Sequence, residues 1–218
     1  MANLVSPSTL VKNSLQSVRV WANQRGPAWV LQPSYSQIAA AVGVSSGAVL
    51  QVGCGAGWLA LYLGAGKPDL DVVGIDTDRA ALDIGDRNKG TRLNVTLRQM
   101  APEQIVYPEA TFHAAVAVGD SRRWQDTGAV LTEVFRVLRP GARFYVYEGD
   151  AELSALPPGW LRSPGPWLPE RALLAAFRRE ALGAADWETL KGQVRQSPFG
   201  GGEDGRHGPY RRLVLTRP

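Results

Sequence analysis

The chain has a single cysteine, Cys54, among 218 residues, so no disulfide framework can form within it. Its two histidines, His113 and His207, are too few for a zinc centre of the Cys/His type. No run approaches the ~18 apolar residues of a membrane-spanning helix. The most apolar stretches, 39–44 and 48–52, are short and broken by Gly and Ser. The first 20 residues lack an apolar segment behind a basic start, so a cytoplasmic protein that does not engage a membrane is expected. Charge of one sign is also scarce. The 24 basic and 20 acidic residues leave a net charge of +4, a mild lean toward anionic partners rather than the concentrated basic stripe of a nucleic-acid binder. What remains is core material. With 44% hydrophobic and 20% charged residues, the composition is globular, and about one and a half domain lengths of chain can bury a core without staples.

From about residue 48 the texture alternates. Ala48-Val49-Leu50-Gln51-Val52 is short, apolar and β-branched, and predicts a strand that ends at Gly53-Cys54-Gly55-Ala56-Gly57. A helix is expected from Trp58 to Leu63, a second strand over 72–75 ending at Asp76, and a helix from Arg79 to Arg87. A third strand follows at 95–98, then a fourth at 114–118 ending at Gly119-Asp120. Leu131, Val134, Phe135 and Leu138 give a helix over 129–138, stopped before Pro140-Gly141, and 143–147 reads as a fifth strand. Such alternation implies a parallel sheet with helices on both faces.

The flanks read differently. Ser8 suits a helix cap for residues up to about Ala22, and Ser34 or Ser36 opens a helix from Gln37 to Val42 stopped by Gly43. Residues 1–45 are therefore expected to form an N-terminal helical cap, and 46–218 the main domain. Residues 156–169 are a Pro/Trp-rich loop and a candidate substrate cover. A helix is expected from Pro169 to Leu182, a strand over 187–195, a Gly-rich loop over 198–209 and a last strand over 210–216.

The glycine-rich turn has three candidate ligand classes. A phosphate-binding P-loop needs GxxxxGK[ST], and the only Gly-Lys near a strand, Gly66-Lys67, is followed by Pro68. A dinucleotide turn needs GxGxxG, whose third glycine lets helix and strand pack closely; that position is Trp58. What remains is GxGxG at 53, 55 and 57, followed by Asp76 at the end of the second strand. A carboxylate there can accept the hydrogens of both ribose hydroxyls, because the strand ends lie side by side. The pattern is that of an adenosine binder with close backbone approach.

Val49-Leu50-Gln51-Val52-Gly53-Cys54-Gly55-Ala56-Gly57 with Val73-Gly74-Ile75-Asp76 resembles the class I S-adenosyl-L-methionine (SAM)-dependent methyltransferases. Residues 107–113 and 133–143 also look like that family, so the resemblance covers about 48 to 148. It implies a doubly wound, Rossmann-like α/β fold whose seven-stranded sheet is mostly parallel, with an antiparallel last strand inserted beside the fifth. It also implies SAM as cofactor, with Gly53, Cys54, Gly55 and Gly57 near its amino-acid end, Asp76 on the ribose, and Thr77, Met100 and Ala101 around the adenine. Gly119 closes the fourth strand beside them. Two positions depart from the family pattern. Gln51 stands where an acid is usual and offers the cofactor ammonium no charge; Met100 can pack on a purine but cannot accept from its amine.

In small-molecule members of the family, the reacting groups follow the fourth strand. Asp120 is the candidate general base, or else a helix cap or ion-pair partner. Arg123 is a candidate substrate contact and Trp124 either a cavity wall or a core plug. Tyr35, with Trp21, Trp29, Trp160 and Trp167, could close an apolar cavity over a small organic substrate. His113 is expected to be structural and His207 solvent-exposed; Cys54 has no neighbour that would activate a thiol. The Asn/Asp-Pro-Pro-Tyr type motif of base-methylating relatives is absent from Gly119-Asp120-Ser121-Arg122. The resulting expectation is a methyltransferase acting on a small organic molecule, with a homodimer as a candidate assembly. The alternatives are an inactive, binding or regulatory protein of the same fold, and an RNA or protein methyltransferase.

Overall fold

A computed structural model describes residues 32–160 and 170–218. The cap expected around Ser8–Ala22, and Trp21, Trp29 and Trp167, lie outside the described residues. Helix α1 (Gln32–Val42) leads into strand β1 (Gly47–Val52), α2 (Trp58–Gly64), β2 (Leu70–Asp76), α3 (Arg79–Lys89) and β3 (Val95–Gln99). Strand β4 (Phe112–Val118), a 3₁₀ turn at Ser121–Arg123, α4 (Thr127–Val137) and β5 (Leu138–Gly149) follow. After the Pro/Trp segment come α5 (Glu170–Glu180), α6 (Ala184–Gln196), β6 (Glu203–His207) and β7 (Tyr210–Thr216).

The strands form one seven-stranded sheet in the order β3-β2-β1-β4-β5-β7-β6. The first five are parallel, and β7 runs antiparallel between β5 and β6. Val49, Leu50, Gln51 and Val52 are buried in succession, as are Ala114 to Ala117. Consecutive burial is the mark of strands covered on both faces. On one face Leu50, Val52, Phe144 and Val146 meet Leu131 and Val134 of α4 and Trp187, Leu190 and Val194 of α6. On the other, Val49, Val72, Val116 and Tyr145 meet Ile38 and Val42 of α1 and Leu59 and Leu63 of α2. Each such fully buried side chain contributes roughly 1.5–3 kcal/mol.

Asp78 caps α3 by accepting the Ala81 N–H at 3.1 Å, and Asp126 caps α4 by accepting that of Ala129 at 3.0 Å. The far end of α4 is closed from a distance. Arg217, just after β7, donates to the carbonyls of Phe135, Arg136 and Leu138, and to Glu109 at 2.7 Å.

The expected parallel core is found with small boundary shifts, and the later segments need correction. Residues 187–195 are helical, within α6. Its buried residues, Trp187, Leu190 and Val194, recur at helical and not strand spacing. The helix expected to run to Leu182 ends at Glu180, and Gly183 caps the start of α6. The Gly-rich stretch 198–209 contains β6, an edge strand whose exposed charges gave no core signal. Helix α1 begins at Gln32, before the expected Gln37, so Ser34 lies inside it, and its hydroxyl donates to the Trp160 carbonyl at 2.7 Å. Pro140-Gly141 sits in an irregularity of β5, where the pairing with β4 shifts register between Phe112 and Ala114. The strand therefore begins well before residue 143.

Strand order reverses between β1 and β4. In an open α/β sheet, ligands bind beyond the carboxyl ends of the strands at such a switch point. Gly53 and Gly119 stand on either side of it.

Candidate active site

The turn after β1 bends in the left-handed region at Gly53, Gly55 and Gly57, with φ of 65°, 52° and 71°, which only glycine adopts without strain. The Cys54 N–H donates to the Ile75 carbonyl at 2.9 Å and ties the turn to β2. Among the described residues, a Cβ at Gly55 or Gly119 would meet no atom within 4 Å. A Cβ at Gly53 would collide with the carboxyl group of Asp120. The two loops at the switch point thus meet at one place, with glycine beneath carboxylate, and no other described residue fills the space beside it.

Asp76 closes β2 and is buried. Its Oδ2 accepts the Gly55 N–H at 2.7 Å and its Oδ1 the Asp78 N–H at 2.8 Å. Hydrogen bonds to a charged group are worth about 1.5–3 kcal/mol each. A carboxylate has about four acceptor sites, so two remain for a ligand. Thr77 is exposed beside it, and its carbonyl accepts from the Gln99 amide at 3.2 Å. Met100 packs against the core, its N–H held by the Asp76 carbonyl and its sulfur accepting the Val106 N–H at 3.4 Å. Ala101 is exposed. Gln51 is buried near the end of β1, and its Oε1 has no hydrogen-bond partner among the described residues.

Cys54 points down rather than outward. A Cβ at Gly74 would press on its Cβ and Sγ, each 2.9 Å away. Burial, and then the charges of Asp76 and Asp120, push its thiol well above the ordinary value, so it offers the site its backbone only.

Across the crevice, Asp120 is buried, and its Oδ2 accepts the Trp124 indole N–H at 2.9 Å. Arg123 is 3.9 Å from Oδ1 and largely exposed. Burial raises the Asp120 pKa, partly offset by the Trp124 hydrogen bond and the Arg123 charge. The Trp124 ring is buried in the core and stacks on Phe144 at 6.4 Å, so it braces Asp120 from the core side.

Beneath this loop lies a residue that sequence reasoning missed. Glu148, near the end of β5, is fully buried; its Oε1 accepts the N–H groups of Asp120 at 3.2 Å and Ser121 at 2.9 Å. A carboxylate ending the apolar run 144–147 was the available signal, the same one that marked Asp76. Gly85 of α3 was also missed. A Cβ there would lie 2.9 Å from the Ala56 carbonyl, so its absence lets α3 support the glycine turn.

Tyr35 of α1 packs against the apolar cluster that holds Trp160 and Tyr210. His207 is corrected from exposed to half-buried. It lies on β6, edge-on to Trp160 at 4.9 Å, and burial lowers its pKa. His113 is structural, its Nδ1 accepting the Ala48 N–H at 3.0 Å. Among the described residues, no His/Cys/Asp/Glu cluster has the make-up of a metal site, and no helix is long and apolar enough to cross a membrane.

Residues 49–141 match the family model described as a methyltransferase domain. Over those residues the chain is similar to the methyltransferase domain family. The match spans the glycine turn, Asp76, Asp120 and the helix–strand junction at 133–141. Over 109 residues the chain is 30% identical to a demethylmenaquinone methyltransferase of Deinococcus radiodurans, covering 50% of this chain and 45% of that protein. Over 110 residues it is 31% identical to a fatty-acid O-methyltransferase of Mycolicibacterium smegmatis, covering 50% of this chain and 40% of that one. The chain thus spans about half the length of the curated relatives it matches. A SAM-dependent methyltransferase of Aquifex aeolicus superposes with a TM-score of 0.64 at 19% identity, over 99% of this chain and all of that one. The fold around the matched residues is the Rossmann-like one that these methyltransferases share.

Proposed function

We propose that this chain is a SAM-dependent methyltransferase acting on a small organic molecule. The observation that carries the reading is the switch-point crevice. Among the described residues it has nothing over Gly55 and Gly119, the Asp76 carboxylate with acceptor sites to spare, and no partner for the Gln51 Oε1. A buried acceptor without a partner is costly, and an ammonium group would satisfy it, so the residues present fit the cofactor. SAM supplies, when bound, a methyl group on a sulfonium centre.

The protein supplies position and proton transfer. Asp76 would hold the ribose, and the backbone of residues 53–57 would approach the amino-acid end. Thr77, Met100 and Ala101 would border the adenine. Asp120 faces the turn from the substrate side, and burial makes its carboxylate a better base than an exposed aspartate. It would take the proton of a hydroxyl or acidic carbon, with Arg123 at the rim. Tyr35 and Trp160 would give the substrate side an apolar wall. The names of the curated relatives, which act on demethylmenaquinone and on fatty acids, support a small organic substrate.

Isothermal titration with S-adenosylhomocysteine tests the cofactor half of this reading. Micromolar binding is expected, at least tenfold weaker in Asp76→Ala. The absence of heat at millimolar ligand would overturn the reading and leave only the fold. Salt-sensitive binding of bulk RNA would point instead to a nucleic-acid substrate.

A further inference from the structure

Resting on that reading of Asp120, we propose that Glu148 is the positioning residue of this site, and that it does two separable things. Its Oε1 clamps the amides of Asp120 and Ser121, holding the Asp120 carboxylate over Gly53, and the charge it carries governs how strongly Asp120 holds a proton.

The clamp is direct geometry. The chain leaves β4 at Gly119 in a left-handed turn (φ 64°), and the next two N–H groups converge on one oxygen of Glu148. One end of Asp120 is thereby fixed by β5 through its backbone, and the other by Trp124 through its carboxylate. Gly53 has no side chain to push it away.

The second oxygen, Oε2, is buried with no hydrogen-bond partner among the described residues, an expensive arrangement for an ionised carboxylate. The charged neighbours do little to relieve it. Arg211 stands opposite Glu148 on β7, but its guanidinium is engaged by Asp150 at 2.9 Å and Glu152 at 3.0 Å. Arg122 donates to the Ala181 carbonyl, and Arg123 leans on Asp120. Asp186 of α6 lines a surface cleft with Ser121 and Arg122 and would add negative charge. Tyr210 of β7 is close enough that Glu148 helps keep its hydroxyl neutral, after burial. Burial therefore dominates and pushes Glu148 from the ordinary 4.5 to about 7, with Asp120 adding to the rise and the Ser121 hydrogen bonds opposing it. Below that pH Glu148 is a neutral acid. Above it, a proton taken up by Asp120 sits beside a negative charge and is held more strongly.

The test uses the full ¹⁵N-labelled chain, with amide resonances and solvent exchange followed from pH 5.5 to 8.5. In the parent protein the Asp120 and Ser121 amides should shift with a midpoint near 7. Glu148→Gln retains a carbonyl acceptor; it should keep both amides protected and abolish that titration. Glu148→Ala should speed exchange of both amides at least tenfold. An unchanged midpoint in Glu148→Gln, or unchanged protection in Glu148→Ala, overturns the assignment. Calorimetry with S-adenosylhomocysteine on the same samples reads the functional reading separately, because the amide titration does not require cofactor binding.

Discussion

Asp76 and Glu148 occupy corresponding places, each a buried carboxylate near the carboxyl end of an apolar parallel strand, on opposite sides of the switch point. They are treated in opposite ways. Asp76 has a backbone N–H on each oxygen, from Gly55 and Asp78. Glu148 receives both of its N–H groups on one oxygen and none on the other, with the Asp120 carboxylate nearby. Balanced donors suit the proposed grip on a neutral sugar. A lopsided, crowded carboxyl suits a group that exchanges protons. On the proposed function, Asp76 belongs to a binding side built on backbone rigidity and Glu148 to a reacting side built on burial.

The largest expected effect would break the boundary between the two sides. Gly53→Ala puts a methyl into the Asp120 carboxyl at a φ of 65°. It should cost on the order of 3 kcal/mol or more in urea unfolding, or abolish S-adenosylhomocysteine binding. If neither changes, the packing of the two loops is not as described. Next comes the sign of the pH dependence at Glu148. Its folded pKa lies above the ordinary value, so the folded chain binds an extra proton between about 4.5 and 7, and its contribution to stability falls as pH rises through that window. The full swing is on the order of 3 kcal/mol. Denaturant midpoints at pH 5 and pH 8 should converge in Glu148→Gln relative to the parent; equal slopes in both would remove the argument for a crowded carboxyl.

Asp76→Asn sharpens the other side. It keeps one acceptor and loses the charge, and should weaken S-adenosylhomocysteine by about tenfold, some 1.4 kcal/mol. Unchanged affinity would blur the proposed division. The smallest effect belongs to Arg123→Ala. An exposed pair at 3.9 Å should contribute under about 0.5 kcal/mol, so a stability loss above 1 kcal/mol would show that Arg123 braces Asp120.

The binding side was legible from sequence because its signals are local. Three glycines in a short turn and an acid ending a β-branched run are covalent neighbours of the structure they specify. The reacting side was only half legible. Asp120 follows its strand directly, but its supports come from far along the chain, with Glu148 on β5, and no spacing rule links them. The strand expected at 187–195 failed for a different reason. Trp187, Leu190 and Val194 carry helical spacing, but the polar residues between them weaken the pattern. Strand β6 could not be found from core signals, since none of its residues is fully buried.

The long reach of Arg217 has a consequence for the order of assembly. The last carbonyls of α4 await a guanidinium made some eighty positions later, and one edge of β5 awaits β7. A nascent chain emerging from the ribosome would therefore hold the loops of the proposed cofactor site, up to Glu148, before the sheet that braces them is closed. During that interval β5 presents an unpaired margin to other strands, and the exposed charges of β6 guard only the finished molecule.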